Sequence, residues 1–239
     1  MIKEEVLQLA VKQLDIELSD MQVQQFIKYY ELLVEWNSFM NLTGITEYNE
    51  VVLKHFVDSL LVVKAFDIKQ IKTVIDIGTG AGFPGIPLKI VYPHLQVVLL
   101  DSLNKRIKFL NEVINQIGLT HIETIHGRAE DFGRDIKYRE TFDLCVSRAV
   151  ANLATLSEYC IPFVKKGGYF IPFKSGKIAE EVKEAKKAVK LLGGNIDKVV
   201  PSVLPDTDIE RSFILISKKE NTSKQYPRLA GKPSKEPLK

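Results

Sequence analysis

Thr73-Val74-Ile75-Asp76-Ile77-Gly78-Thr79-Gly80-Ala81-Gly82-Phe83-Pro84 decides the fold. The first five residues are a short apolar run with the length and β-branched content of a buried strand. The glycines let the backbone turn sharply at the carboxyl end of that strand and pass close under a ligand. Pro84 then stands where the first turn of a helix tolerates it. Strand, glycine loop and helix in this order open a parallel α/β unit.

The alternation continues downstream. Residues 96–100 read as a second strand ended by Asp101, and Ser102 is positioned to cap the next helix. Leu103, Ile107, Leu110, Ile114 and Ile117 share one face of that helix, and Gly118 stops it. Further strands are expected at 122–125, 142–146 and 169–173, with helices at about 151–160 and 178–192. Residues 196–203 and 212–217 look like a closing strand pair. The stretch 177–190, with five Lys and three Glu, reads as a solvated helix face. The whole pattern predicts an α/β fold: a mostly parallel, doubly wound sheet covered by helices on both faces.

Upstream, only helices are legible. Ser19 followed three residues later by Gln22 has capping-box form, and Val23, Phe26, Ile27, Tyr30, Leu33 and Val34 make one apolar face. A loop through Asn41-Leu42-Thr43-Gly44 leads to a helix expected over 48–66, with Val52, Phe56, Leu60 and Val63 inward. Three segments follow from this: a helical extension over 1–68, a core over 69–217, and a Lys-, Pro-, Ser- and Gly-bearing tail over 218–239, expected to be flexible.

Composition bounds the function. At 239 residues, 45% apolar and 26% charged, the chain can build a core without disulfides or metals. Thirty-three Lys and Arg against 30 Asp and Glu exclude a wholly basic nucleic-acid coat. The imbalance is local, from six bases against 11 acids in residues 1–70 to seven against two in residues 217–239. Cys145 and Cys160 form no CxxC, so no zinc site or disulfide framework is expected. Glu4 and Glu5 stand where a secretion signal has bases, and no apolar run reaches the roughly 18 residues of a membrane helix. A cytoplasmic protein with no membrane or metal partner is expected, working as a monomer.

The loop narrows the ligand. A dinucleotide fingerprint needs Gly or Ala at position 83, where Phe83 stands. Asp76 beside the loop would repel a pyrophosphate, but it suits a ligand with an ammonium group and no phosphate. Asp101 lies 23 residues after Gly78, where a carboxylate can accept both ribose hydroxyls. Gly127-Arg128-Ala129-Glu130 follows the third strand, where an adenine ring can lie. In this order the three positions describe S-adenosylmethionine, with Gly78, Gly80 and Asp101 as contacts.

Several motifs then converge. Trp36-Asn37, Asn41-Leu42-Thr43, the run from Lys54 to Ser59, the run from Asp76 to Leu88, Gly127-Arg128-Ala129-Glu130 and Ser147-Arg148-Ala149 resemble the glucose-inhibited-division protein B family. The likeness runs nearly end to end, tail included. That family comprises small-subunit ribosomal RNA guanine-N7 methyltransferases. The resemblance implies a Rossmann-like class I methyltransferase fold, cofactor contacts at Gly78, Phe83, Ala129, Glu130 and Arg148, and a guanine of 16S RNA, free or in the small subunit, as target.

Guanine N7 offers a lone pair and holds no proton, so no general base is expected. The chain agrees in what it lacks after the fourth strand: neither an Asn/Asp-Pro-Pro-Tyr segment nor a Pro-Cys nucleophile occurs there. Arg148 is the catalytic candidate, by positioning; it pairs with the methionine carboxylate, steadies the guanine, or serves a structural ion pair. Lys54, His55 and Asp58 form either a solvated helix face or, with Asn41, a cleft rim that holds RNA. The tail lysines either track phosphates or only solubilise. Three other readings remain open: a small-molecule or protein methyltransferase, an oxidoreductase disfavoured by Phe83 and Asp76, and a ribosome-binding protein with a dead pocket.

Overall fold

A computed structural model describes residues 2–148, 151–176 and 178–238; Ala149 of the Ser-Arg-Ala motif, Lys177 of the lysine-rich stretch and the terminal Lys239 lie outside them. Seven strands form one sheet: β1 (Thr73–Ile77), β2 (Gln96–Asp101), β3 (Ile122–His126), β4 (Phe142–Arg148), β5 (Val164–Ser175), β6 (Gly194–Val203) and β7 (Glu210–Lys218). Their order is β3-β2-β1-β4-β5-β7-β6. The strands from β3 through β5 run parallel, while β7 inserts antiparallel between β5 and β6. The strands are added outward from β1 through β2 to β3 and then on its other side from β4, so the winding reverses between β1 and β4 and a crevice opens beyond their carboxyl ends.

Successive β1 residues feed opposite faces. Val74 packs with Leu99, Leu144 and Ile171 on one side, and Ile75 with Cys145 and Phe170 on the other. Helices α5 (Gly85–Val91), α6 (Asn104–Gln116), α7 (Ala129–Phe132), α8 (Leu153–Cys160) and α9 (Ala179–Leu191) cover the two faces. The extension supplies α1 (Lys3–Lys12), α2 (Asp20–Met40), α3 (Tyr48–Val51) and α4 (Asp58–Leu60). Its Leu7, Phe26, Leu33 and Phe56 are fully buried in the Val74 core, each contributing about 2 kcal/mol, so these helices are a layer of the same core. Ser19 caps α2 in the expected reciprocal form, its hydroxyl on the Gln22 amide at 3.3 Å.

Three expectations change. The helix over 48–66 is one run with altered pitch: a π-helical segment, Val52–Val57, lies between α3 and α4, and a 3-10 turn, Leu61–Lys64, ends it. The wider turn brings Asp58 and Ser59 inside rather than onto a solvated face. The amide of Leu103 is taken by the Asp101 carboxylate at 2.9 Å rather than by a Ser102 cap.

The tail is not a loose segment. Arg228 holds the buried carboxylate of Glu158 at 2.6 Å, Thr222 donates to the Leu192 carbonyl at 2.6 Å, and the Gly231 amide reaches Glu130 at 2.8 Å. A short helix, α10 (Lys232–Lys235), follows, and Pro233 accepts from Thr155 at 3.1 Å. Composition misleads here because the partners are buried groups far away in sequence. Among the described residues no helix is long and apolar enough to cross a membrane.

Candidate active site

The glycine loop leaves β1 with Gly78 at φ 70° and Gly80 at φ 63°, conformations that a side chain would strain. Gly82, at φ 99°, is pressed from above: a Cβ there would lie 2.7 Å from the Tyr29 hydroxyl. Tyr29, fully buried in α2, donates that hydroxyl to the Ala81 carbonyl. The extension therefore shapes the loop directly.

Two acids sit under this backbone. Asp101 is 1% exposed and accepts from the amides of Gly80 and Leu103 at 2.9 Å each, and from Arg106 at 3.1 Å. Asp76 is fully buried; its Oδ2 accepts from the Thr79 hydroxyl at 2.7 Å and the Gly85 amide at 2.8 Å. Its Oδ1 has no hydrogen-bond partner among the described residues. Burial pushes the Asp76 carboxyl up to about 7, against the lowering influence of those hydrogen bonds.

The loop, Leu42, Thr43, Asp101 and Arg106 line a cavity of about 440 Å³. A hydroxylated, cationic ligand fits these groups. Asp101 borders it with acceptor oxygens suited to a ribose, and Asp76, buried behind the loop with one oxygen unpartnered, favours a positive charge nearby. S-adenosylmethionine has both features, and the two arginines of the lining, Arg106 and Arg148, are each already paired with a carboxylate.

One wall of this cavity is shared. His55 stacks on Phe83 at 4.6 Å between ring centroids, with planes 21° apart, and its Nε2 lies 2.8 Å from the Thr43 hydroxyl. The Arg148 guanidinium stands over the same Phe83 ring at 5.0 Å. Burial, and next the Arg148 charge, push the His55 imidazole down to about 4, so it is neutral at physiological pH. Asp58, 2% exposed, holds Arg148 at 2.9 Å with one oxygen and Arg211 at 2.6 Å with the other.

Beyond His55 and Arg148 lies a second cavity of about 410 Å³, lined also by Asp58, Phe173, Lys174, Glu181 and Arg211. The sequence candidates Gly78, Gly80, Phe83, Asp101, His55 and Arg148 are thus assembled around one crevice. Asp58 anchors it from within: the ion pair considered for Arg148 exists, and the same arginine lines both cavities.

Three candidates lie elsewhere. Asn41 is the exposed, left-handed end of α2, at φ 51°; it is Asn37 whose carbonyl oxygen takes the amides of Leu42 and Thr43, at 2.7 and 2.8 Å. Ala129 and Glu130 open α7 and line neither cavity, and Glu130 is engaged by Gly231 of the tail. Tyr29, Arg106, Lys174, Glu181 and Arg211 were not legible as site residues. Thr43 and Asn37 were within quoted motifs, but Glu181 was hidden in the lysine-rich stretch.

Comparison with known proteins gives the family. A family model described as rRNA small subunit methyltransferase G (GidB) matches residues 22–209. A protein of that name from Lachnoclostridium phytofermentans is 58% identical, covering 95% of this chain and 94% of its own. One from Thermoanaerobacter sp. is 55% identical, covering 95% of each. Among solved structures, a SAM dependent methyltransferase from Aquifex aeolicus shares the fold with a TM-score of 0.52, at 22% identity over 70% of this chain and 92% of that one. M. jannaschii TYW2 in complex with AdoMet does so with a TM-score of 0.53, at 16% identity over 67% and 76%. With identity this high over nearly its whole length, the chain belongs to the GidB family of S-adenosylmethionine-dependent rRNA small subunit methyltransferases.

Proposed function

We propose that the protein methylates N7 of one guanine in 16S ribosomal RNA, by direct in-line attack of N7 without a general base. The observation that carries this reading is the shared wall: a ligand in either cavity meets the other at His55 and Arg148. S-adenosylmethionine, when bound, supplies a methyl group on a positively charged sulfur. Gly78 and Gly80 would let the backbone approach it, Asp101 would accept its ribose hydroxyls in place of Arg106, and Phe83 and Arg148 would hold the end of the cavity shared with the second one. Ala129 and Glu130, which open α7 outside the cavity, would meet the adenine where it extends beyond the lining.

N7 has no proton to remove, so the residues of the wall act by placement. His55 is neutral and therefore adds no charge beside a cationic methyl donor. Arg148 is held by Asp58 and steadies the electron-rich edge of the guanine. Asn37 holds the loop that carries Leu42 and Thr43 over the crevice, and Asn41, exposed at the end of α2, is left to meet RNA. On this reading the protein works as a monomer in the cytoplasm on its ribosomal substrate.

Purified protein with labelled S-adenosylmethionine should be given unmodified 16S RNA and, separately, small subunits, and the products digested to nucleosides. Label is expected in 7-methylguanosine. Label in another nucleoside overturns the N7 assignment, and no label with either substrate overturns the RNA assignment.

A further inference from the structure

The second cavity contains an ion pair that neither the methyl donor nor the shared wall requires. Lys174, near the end of β5, reaches Glu181 in the first turn of α9 at 2.6 Å, with side chains 12% and 27% exposed. The lysine also donates to the Ala151 carbonyl at 2.8 Å. The same Glu181 oxygen, Oε1, accepts the Leu153 amide at 2.6 Å. The Ala151 carbonyl takes one of the three ammonium protons, the ion pair holds the ammonium against Oε1, and Oε2 of Glu181 takes no hydrogen bond among the described residues. The pair presents one spare donor beside one spare acceptor, in a cavity that also has apolar walls from Ile45, Phe173 and Ile209.

We propose that Lys174 and Glu181 read the Watson–Crick edge of the target base and make the site specific for guanine; this deepens the function proposed above and rests on it. Guanine sets an acceptor, O6, beside a donor, N1–H, with the 2-amino group next along. The spare Lys174 proton meets O6, and Glu181 Oε2 meets N1–H and the 2-amino group. Adenine inverts the pattern, with an amino donor at C6 and an unprotonated N1. It would leave both members of the pair facing like partners, which a half-buried site penalises heavily. With that edge held at the pair, N7, on the adjacent Hoogsteen edge next to O6, is free for the wall of His55 and Arg148. The base must leave its stack to enter, as target bases of nucleic-acid-modifying enzymes do.

The test uses 16S RNA transcribed with a minority of inosine among its guanosines, since inosine lacks only the 2-amino group. The yields of 7-methylguanosine and 7-methylinosine, corrected for input, give a preference ratio inside one reaction. Wild type should favour guanosine by about tenfold, the value of one charge-assisted hydrogen bond. Glu181→Gln should bring the ratio close to one, and Glu181→Asp, which keeps the charge beside Lys174, should lie between. A purely structural Glu181 would lower both products together and leave the ratio at its wild-type value, which overturns the proposal even where turnover is poor. If Glu181→Gln yields no product, the Glu181→Asp ratio decides: an unchanged ratio overturns the proposal. Absence of any 7-methylated product from wild type would instead refute the underlying N7 function.

Discussion

The two cavities share a wall yet are built by different means. The donor cavity is made chiefly of backbone, a glycine loop and the amides of Gly80 and Leu103 around Asp101, most of it within residues 78–106. Its neighbour is made of side-chain charges brought from β4, β5, β7, α4, α9 and the π-helical segment, spanning residues 45–211. A small ligand of fixed shape can be gripped by a local loop. A base carried by a large RNA needs charged groups that only distant elements can supply, with each charge held in place by a partner.

That contrast breaks first at Asp58, the anchor common to both. Asp58→Ala strips Arg148 and Arg211 of their carboxylate at once. It should cost about 3 kcal/mol in denaturant unfolding and reduce methyl transfer by about a thousandfold. A variant that lost RNA affinity alone would show that the wall is not shared. Asp101→Ala should weaken S-adenosylmethionine binding by about a hundredfold in calorimetry while RNA affinity stays put. Arg211→Ala should do the reverse, weakening RNA binding by about tenfold with the donor affinity intact. If either of these variants moved both affinities, the two cavities would be one energetic unit.

A pH series sharpens the donor side. With its carboxyl at about 7, Asp76 is protonated in the free protein below that pH, whereas a cationic donor favours the ionised form. Donor affinity should therefore rise by about tenfold between pH 6 and 8, with the dependence gone in Asp76→Asn. The free protein should behave oppositely: the raised carboxyl stabilises it at acid pH, and that contribution is lost as pH rises through about 7. The smallest effect is expected for Tyr29→Phe, which keeps the ring but leaves the Ala81 carbonyl unpaired. About fivefold weaker donor binding with unchanged RNA affinity would place the extension on the donor side of the comparison.

Residues that stand close together in the chain are legible as neighbours in the fold. Gly78, Gly80, Asp76 and Asp101 declare themselves by spacing, because one strand, one turn and the next strand must carry them in that order. A charge with two possible surroundings is not legible in this way. Asp58 looked equally at home on a solvated face, and only the π-helical turn puts it inside. Arg228 reads as a tail cation that tracks phosphates or solubilises, and only the fold sets it against Glu158, 70 residues away.

The sequence by itself determined the α/β order, the glycine loop and the chemistry of the donor, because periodicity and turn residues act over a few positions. The tertiary structure alone decided which charges are paired and which are spare. It placed Arg148 and Arg211 on one carboxylate, tied the tail to buried acids, and set Lys174 beside Glu181 in the second cavity. The physical reason is that burial sets the strength of a charge, and burial is a property of packing between distant segments.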